Sequence, residues 1–135
     1  MDIKNMINSK LPVLVLGETG TGKSHFVKTL INQASNKKFI QLNIASISEN
    51  VFESELFGHM KGSFTGADNN RVGFCESVGE GTLFLDEIGE LSLELQAKLL
   101  TLIDEKFFYP VGSFQKKIFH VRLVFATKFK LDNFL

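Results

Sequence analysis

Eight consecutive residues, Gly17-Glu18-Thr19-Gly20-Thr21-Gly22-Lys23-Ser24, combine glycines, a lysine and a hydroxyl at a spacing that can hold phosphate. The pattern Gly17-x-x-x-x-Gly22-Lys23-Ser24 is that of a phosphate-binding loop. Its glycines accept φ > 0, so successive N–H groups can curl inward as an anion-binding nest. A helix beginning near Gly22 aims its positive dipole end at the same place. Lys23 can set its ammonium between the β- and γ-phosphates, and the Ser24 hydroxyl can ligate Mg²⁺. With His25, which follows directly, residues 17–25 form the set expected around ATP and Mg²⁺.

A second group of residues suits the same chemistry. Gly81-Thr82-Leu83-Phe84-Leu85-Asp86-Glu87 is an apolar strand ending in two carboxylates. Asp86 can hold the Mg²⁺ shell, and Glu87 can orient and polarise an attacking water as general base. Acids are also common where an ordinary strand enters a loop. It is the complete phosphate loop earlier in the chain that makes the pair read as chemistry.

These residues need elements to position them. Residues 11–16 form a short apolar run ending at Gly17, which reads as a strand buried on both faces of a parallel sheet. Phe26, Val27, Leu30 and Ile31 fall at helical spacing over residues 22–34. Further strands are expected at 39–44, 82–85 and 120–126. Helices are expected at 46–57, capped by Ser46 or Ser48, and at 91–103. Residues 59–71 read as Gly-rich and irregular, and 107–117 as a loop or hairpin around Pro110 and Gly112. Strands alternating with helices argue for a parallel α/β sheet with right-handed crossovers. Ligands of such sheets sit at the carboxyl ends of the strands, where the two motifs fall.

Composition narrows the alternatives. The chain has 135 residues, enough for one domain, and 44% of them are hydrophobic, enough for a core. Fifteen basic residues balance fifteen acidic ones, so no broad attraction to nucleic acid or an anionic membrane is expected. Cys75 is the single cysteine, which precludes an intramolecular disulfide and fits a reducing compartment. No apolar run approaches the roughly 18 residues of a membrane helix, and residues 1–11 lack the layout of a signal peptide, so a cytoplasmic protein is expected. The 14 Phe read as a Phe-heavy core. Cys75 and the three histidines offer no metal-ligand spacing, and His25 and His59 read as solvated or capping groups.

The stretch Glu55-Leu56-Phe57-Gly58-His59-Met60-Lys61-Gly62-Ser63-Phe64-Thr65-Gly66-Ala67 closely resembles the signature of the sigma-54-dependent transcriptional activators, the bacterial enhancer-binding AAA+ ATPases. Their diagnostic loop, Gly-Ala-Phe-Thr-Gly-Ala, stands here as Gly62, Ser63, Phe64, Thr65, Gly66 and Ala67. Residues 81–91 and 95–100 also resemble that family, and the likeness runs from about residue 13 to 127. It implies a three-layer α/β P-loop NTPase fold of the AAA+ type with a central parallel sheet, incomplete at the C-terminal end. Residues 62–67 would be the pore loop that touches sigma-54, with Phe64 and Thr65 at its tip, and residues 107–119 a second, supporting loop. Asn43 matches the switch asparagine that pairs with the Walker B glutamate, here Glu87. The implied activity is ATP hydrolysis by a hexamer that remodels the closed sigma-54 RNA polymerase complex. Read without the resemblance, 62–67 fits a plain turn whose Phe tucks into the core better than a partner contact.

The chain also departs from the family. Ser24 replaces the usual Glu and restores the general Mg²⁺ ligand. Thr127-Lys128 stands where the family has Thr-Asn, and a lysine cannot accept a hydrogen bond there. Gly73-Phe74-Cys75-Glu76-Ser77-Val78 and Glu80-Gly81 each differ from the usual pattern. The family's arginine fingers, fifth core strand, helical lid and DNA-binding helix-turn-helix are expected beyond residue 135. The chain is thus expected to be the core α/β part of an AAA+ sigma-54 interaction domain, with no direct DNA contact. An arginine finger contributes about 10³–10⁵ in rate, so weak ATP·Mg²⁺ binding and slow hydrolysis are expected of these residues alone. The alternative is a degenerate nucleotide-binding module that engages sigma-54 or a partner ring without efficient turnover.

Overall fold

A computed structural model describes residues 12–16, 25 and 38–127. The phosphate loop at 17–24, most of the helix expected after it and Lys128 lie outside the described residues.

The apolar runs form a parallel sheet. β1 (Val13–Leu16), β2 (Phe39–Asn43), β5 (Thr82–Asp86) and β8 (Arg122–Thr127) stand in the order β1-β8-β5-β2. The register sets Leu83 opposite Leu123, Leu85 opposite Phe125, and Phe84 opposite Val124. Successive side chains of a strand point to opposite faces, so each central strand serves two cores. Leu83, Leu85, Leu123 and Phe125 join the larger one, while Phe84, Val124 and Ala126 form the smaller one with Phe39, Val13 and Val15.

Two helices build the larger core. α1 (Glu49–Phe57) begins at Ser48, whose side chain accepts the Val51 N–H, and buries Phe52 and Leu56. The expected cap at Ser46 gives way because Ile44–Ser46 forms a 3-10 turn of its own. After the short α2 (Phe74–Ser77), α3 (Leu93–Glu105) begins at Ser92, whose hydroxyl accepts the Leu95 N–H, two residues later than the apolar stripe suggested. Leu91 is still buried, but as the residue closing the 3-10 turn Ile88–Glu90. The N-termini of α1 and α3 are tied together where the Glu49 carboxylate accepts the Ser92 N–H at 2.6 Å.

β1 departs from expectation. It is not buried on both faces: Val13 and Val15 are half-buried and Leu14 is 41% exposed. The reason is position. Among the described residues β1 pairs with β8 alone, and none of its described residues reaches the core formed with α1 and α3. β5, an apolar run of similar length, pairs on both sides and is wholly buried. The expected irregular segment 59–71 is closed by a small antiparallel pair, β3 (Gly58–His59) with β4 (Arg71–Val72). The expected hairpin is present as β6 (Phe107–Phe108) with β7 (Lys117–Ile118).

Candidate functional site

The carboxyl edge of the sheet gathers Asn43, Asp86 and Glu87 of the expected catalytic residues, while Lys23 lies outside the described residues. Asn43 on β2 lies opposite Asp86 on β5, and Asp86 lies opposite Ala126 on β8. Leu16, the residue before the phosphate loop, lies opposite Thr127 one position farther along. β1 therefore ends on the edge where Asp86 ends its strand. Neighbouring strands are about 4.8 Å apart, so the ends of β1 and β5, with β8 between them, lie about two strand spacings apart.

Asp86 is 8% exposed, and its Oδ1 accepts the N–H of Glu87 at 2.9 Å. Glu87 takes a left-handed backbone conformation, φ 63 and ψ 42, unusual for a non-glycine residue. The chain thus turns sharply between the two carboxylates, and their side chains leave the strand in different directions. No sequence signal marks a left-handed Glu. Backbone outliers of this kind concentrate at functional sites.

Asn43 faces the same edge but uses its Oδ1 to accept the Ala45 N–H at 3.0 Å, while its carbonyl accepts the Ser46 hydroxyl at 2.8 Å. It makes no hydrogen bond to Glu87 among the described residues. Its side chain is here a cap on the 3-10 turn. His25 is exposed, as expected. No group of three His, Cys, Asp or Glu side chains among the described residues could hold a metal unaided. One or two carboxylates with a hydroxyl and substrate phosphates suit Mg²⁺, which keeps much of its water. The Asp86 and Glu87 carboxylates at this edge are donors of that class. Cys75 is buried and its thiol is pushed far above the ordinary range by desolvation, so it is a packing residue.

The candidate partner loop is built elsewhere, between β3 and β4. The Gly62 N–H donates to the Ala67 carbonyl at 2.8 Å, and the Ala67 N–H donates to the Phe64 carbonyl at 3.1 Å. Gly62 (φ 82) and Gly66 (φ 96) provide the turns, and a Cβ at either would meet nothing within 4 Å. Conformation rather than space requires glycine there. Ala67 is buried, Thr65 is exposed and Phe64 is 45% exposed. Phe64 does not tuck into the core, which corrects the reading of residues 62–67 made without the resemblance. Its ring meets the His59 ring edge-on, with centroids 4.9 Å apart. His59 is half-buried, and its Nδ1 is hydrogen-bonded to the Ser54 hydroxyl on α1.

Sequence reasoning missed how this loop is held. The Val111 N–H donates to the Gly58 carbonyl and the Met60 N–H to the Val111 carbonyl, both at 2.9 Å, so the β6–β7 hairpin is stitched to the loop. A Cβ on Gly112 would lie 2.5 Å from the Ser63 Cβ, so glycine permits the close approach. Ser63 Oγ is enclosed there with no hydrogen-bond partner. The resemblance had already implied a supporting loop at 107–119, but the residues themselves gave no hint of these contacts beyond a glycine inside an expected hairpin. A separate cleft of about 420 Å³ lies at the hairpin's base, lined by Phe57, Phe107, Tyr109 and Pro110 with the Glu53–Lys98 ion pair in its wall. Among the described residues, none of those expected to be catalytic lines it.

Comparison with known proteins agrees with this arrangement. Residues 1–135 match the family described as Sigma-54 interaction domain. The Nif-specific regulatory protein of Rhizobium meliloti is 51% identical over 132 residues, covering 96% of this chain and 24% of that protein. The transcriptional regulator VasH of Vibrio cholerae is 46% identical over 132 residues, again 96% of this chain and 25% of its own length. The chain thus spans about a quarter of the curated relatives it matches. Among solved structures, NtrX from Brucella abortus superposes with a TM-score of 0.82 at 28% identity, covering 98% of this chain and 29% of that one. NtrX crystal structures in complex with ADP and with ATP match at TM-scores of 0.81 and 0.80. The four-stranded parallel sheet, the paired loops and the whole-length match place this chain in the sigma-54 interaction domain family of transcriptional activators.

Proposed function

We propose that this chain is the nucleotide-binding core of an AAA+ activator that uses ATP hydrolysis, in a hexameric ring, to remodel the sigma-54 RNA polymerase closed complex. The observation that carries the reading is the register of the sheet, which brings the strand before residues 17–24 to the edge occupied by Asp86, Glu87 and Asn43. Residues 17–25 would hold the triphosphate, with Lys23 between the β- and γ-phosphates. Ser24 and Asp86 would hold Mg²⁺, whose chemistry is to neutralise charge on the phosphate oxygens. Glu87 would align the attacking water and take its proton as the γ-phosphoryl group leaves, giving ADP and phosphate. Asn43 would exchange its cap on Ala45 for a contact with Glu87. Residues 62–67 would touch sigma-54 through Phe64 and Thr65, supported by the β6–β7 hairpin. No direct DNA contact is assigned to these residues. Among the described residues no helix is long and apolar enough to cross a membrane, which is compatible with a cytoplasmic regulator.

The test is capture of sigma-54 by this chain with and without an ATP transition-state analogue. Capture that depends on the analogue, and that drops with Phe64→Ala, supports the reading. Capture by Phe64→Ala as strong as by the parent removes the assigned role. A second reading, a module that binds nucleotide and partner with little turnover, is favoured by Lys128 at the sensor position. Steady-state turnover separates the two.

A further inference from the structure

The cleft at the base of the β6–β7 hairpin lies apart from the residues assigned to nucleotide, and none of its lining side chains has a part in the proposed reaction. At about 420 Å³ it falls within the range of small-molecule sites. Three elements build it. α1 contributes Glu53 and Phe57, α3 contributes Lys98 and Thr101, and the hairpin contributes residues 107–112. Its apolar walls are aromatic rings already packed on one another. Phe57 and Phe108 are buried with ring centroids 6.0 Å apart, and Phe107 meets Tyr109 edge-on at 5.6 Å. Rings held by their neighbours need little ordering when a ligand arrives, which lowers the cost of binding. Such walls suit a flat aromatic molecule, because rings prefer offset or edge-on contact with one another.

The charged groups narrow the class further. The Lys98 ammonium meets both oxygens of the Glu53 carboxylate, at 3.0 and 3.1 Å. The lysine is the more open partner, 45% exposed against 20% for the glutamate. An ammonium has three donors, so Lys98 can keep Glu53 and still donate to a ligand. A second ammonium stands at the wall, where Lys116 lies over the Phe107 ring at 4.1 Å from its centroid. Two cations against one carboxylate give the cleft a local preference for an anion. The cleft also touches the residues that hold the loop at 62–67. Val111 and Gly112 line it, while Val111 is bonded to Gly58 and Met60 and Gly112 abuts Ser63.

We propose that this cleft binds a small aromatic molecule carrying an anionic group, a carboxylate or a sulfonate, and that the occupant clamps the hairpin base against α1 and α3. Its aromatic part would sit among the four rings and its anionic group on Lys98. The loop stitched to the hairpin would be steadied with it. The inference is independent of what Phe64 touches.

The experiment uses anilinonaphthalene sulfonate, whose fluorescence rises in an apolar site, and uncharged phenylnaphthylamine as its neutral counterpart. The chain should bind the anion saturably, one molecule per chain, with a dissociation constant on the order of tens of micromolar. The neutral compound should bind about tenfold more weakly, as for the loss of one charge-assisted hydrogen bond, and Lys98→Met should remove that preference. Thr101 is exposed where it lines the cleft, so Thr101→Trp fills the cleft without entering the core. That variant should lose saturable binding and keep the thermal midpoint of the parent. The anion should slow amide exchange at Met60 and Val111 and leave the β5 amides unchanged. Equal affinity for the two compounds, or a preference for the anion that survives Lys98→Met, overturns the inference. So does undiminished binding to Thr101→Trp, exchange at Met60 and Val111 that the anion leaves unchanged, or binding of several molecules per chain, the mark of scattered apolar patches. Should Thr101→Trp unfold, the neutral compound and Lys98→Met still decide.

Discussion

The carboxyl edge of the sheet and the pair of stitched hairpins solve opposite problems. At the edge, the residues that could do chemistry sit on strands whose ladders set their positions: Asn43 lies opposite Asp86 and Asp86 opposite Ala126 in parallel register, and Asp86 is almost wholly buried. In the hairpins, a few backbone hydrogen bonds and one close glycine contact hold large apolar side chains out in water. A reacting group must be kept in one place and shielded from solvent, whereas a contact group must be presented. The two regions meet through α1, which follows the turn capped by Asn43 and carries Ser54, the hydrogen-bond partner of His59 beneath Phe64. That helix is a physical route by which a change at Asn43 could reach Phe64.

Several substitutions would break or sharpen this contrast. Glu87→Gln removes the base while keeping shape, so turnover in the assembled ring should fall by about 10²–10⁴-fold with nucleotide affinity retained. Phosphate release and calorimetric titration measure the two quantities. Leu99→Ala, at a fully buried position of α3, should cost about 2–5 kcal/mol of stability by leaving a cavity. Thermal or urea unfolding would show it, and the loss should affect both regions together. Gly112→Ala should act only on the hairpins. It sets a Cβ against Ser63 at a φ of 80, so about 1–3 kcal/mol of strain is expected. Amide exchange should rise at Met60 and Val111 while the β5 amides stay protected. The smallest effect is expected from Ser63→Ala. It deletes a hydroxyl that has no partner, so stability should stay the same or rise by about 1 kcal/mol. A clear loss in the same unfolding assay would mean that the hydroxyl is satisfied after all.

Much of the sheet was legible because its central strands are short apolar runs ending in distinctive residues, as Thr82–Asp86 does. The helices were legible from their stripes, though their starts were set by local side-chain chemistry. Ser48 and Ser92 each cap from just before the first turn, and Ile44–Ser46 claims residues that the α1 pattern appeared free to use. The exposed face of β1 was not legible, because an apolar run does not reveal whether a neighbour will cover it. Read without the resemblance, Phe64 was placed in the core for a related reason. Hydrophobicity alone favours burial, and only the fold shows that the glycines on either side direct the ring outward. The stitching of Val111 to Gly58 and Met60 joins residues about fifty positions apart, beyond any local signal. The left-handed Glu87 and the capping role of Asn43 were hidden as well, since both depend on where the strands end relative to one another.

The central claim is that residues 17–25 hold a triphosphate at the edge where Asp86 and Glu87 end β5. Titration calorimetry of the chain with ATP·Mg²⁺, compared with Lys23→Ala under the same conditions, tests it most directly. The parent should give saturable heat, and the variant should give little or none. Equal heats from the two proteins would contradict the assignment.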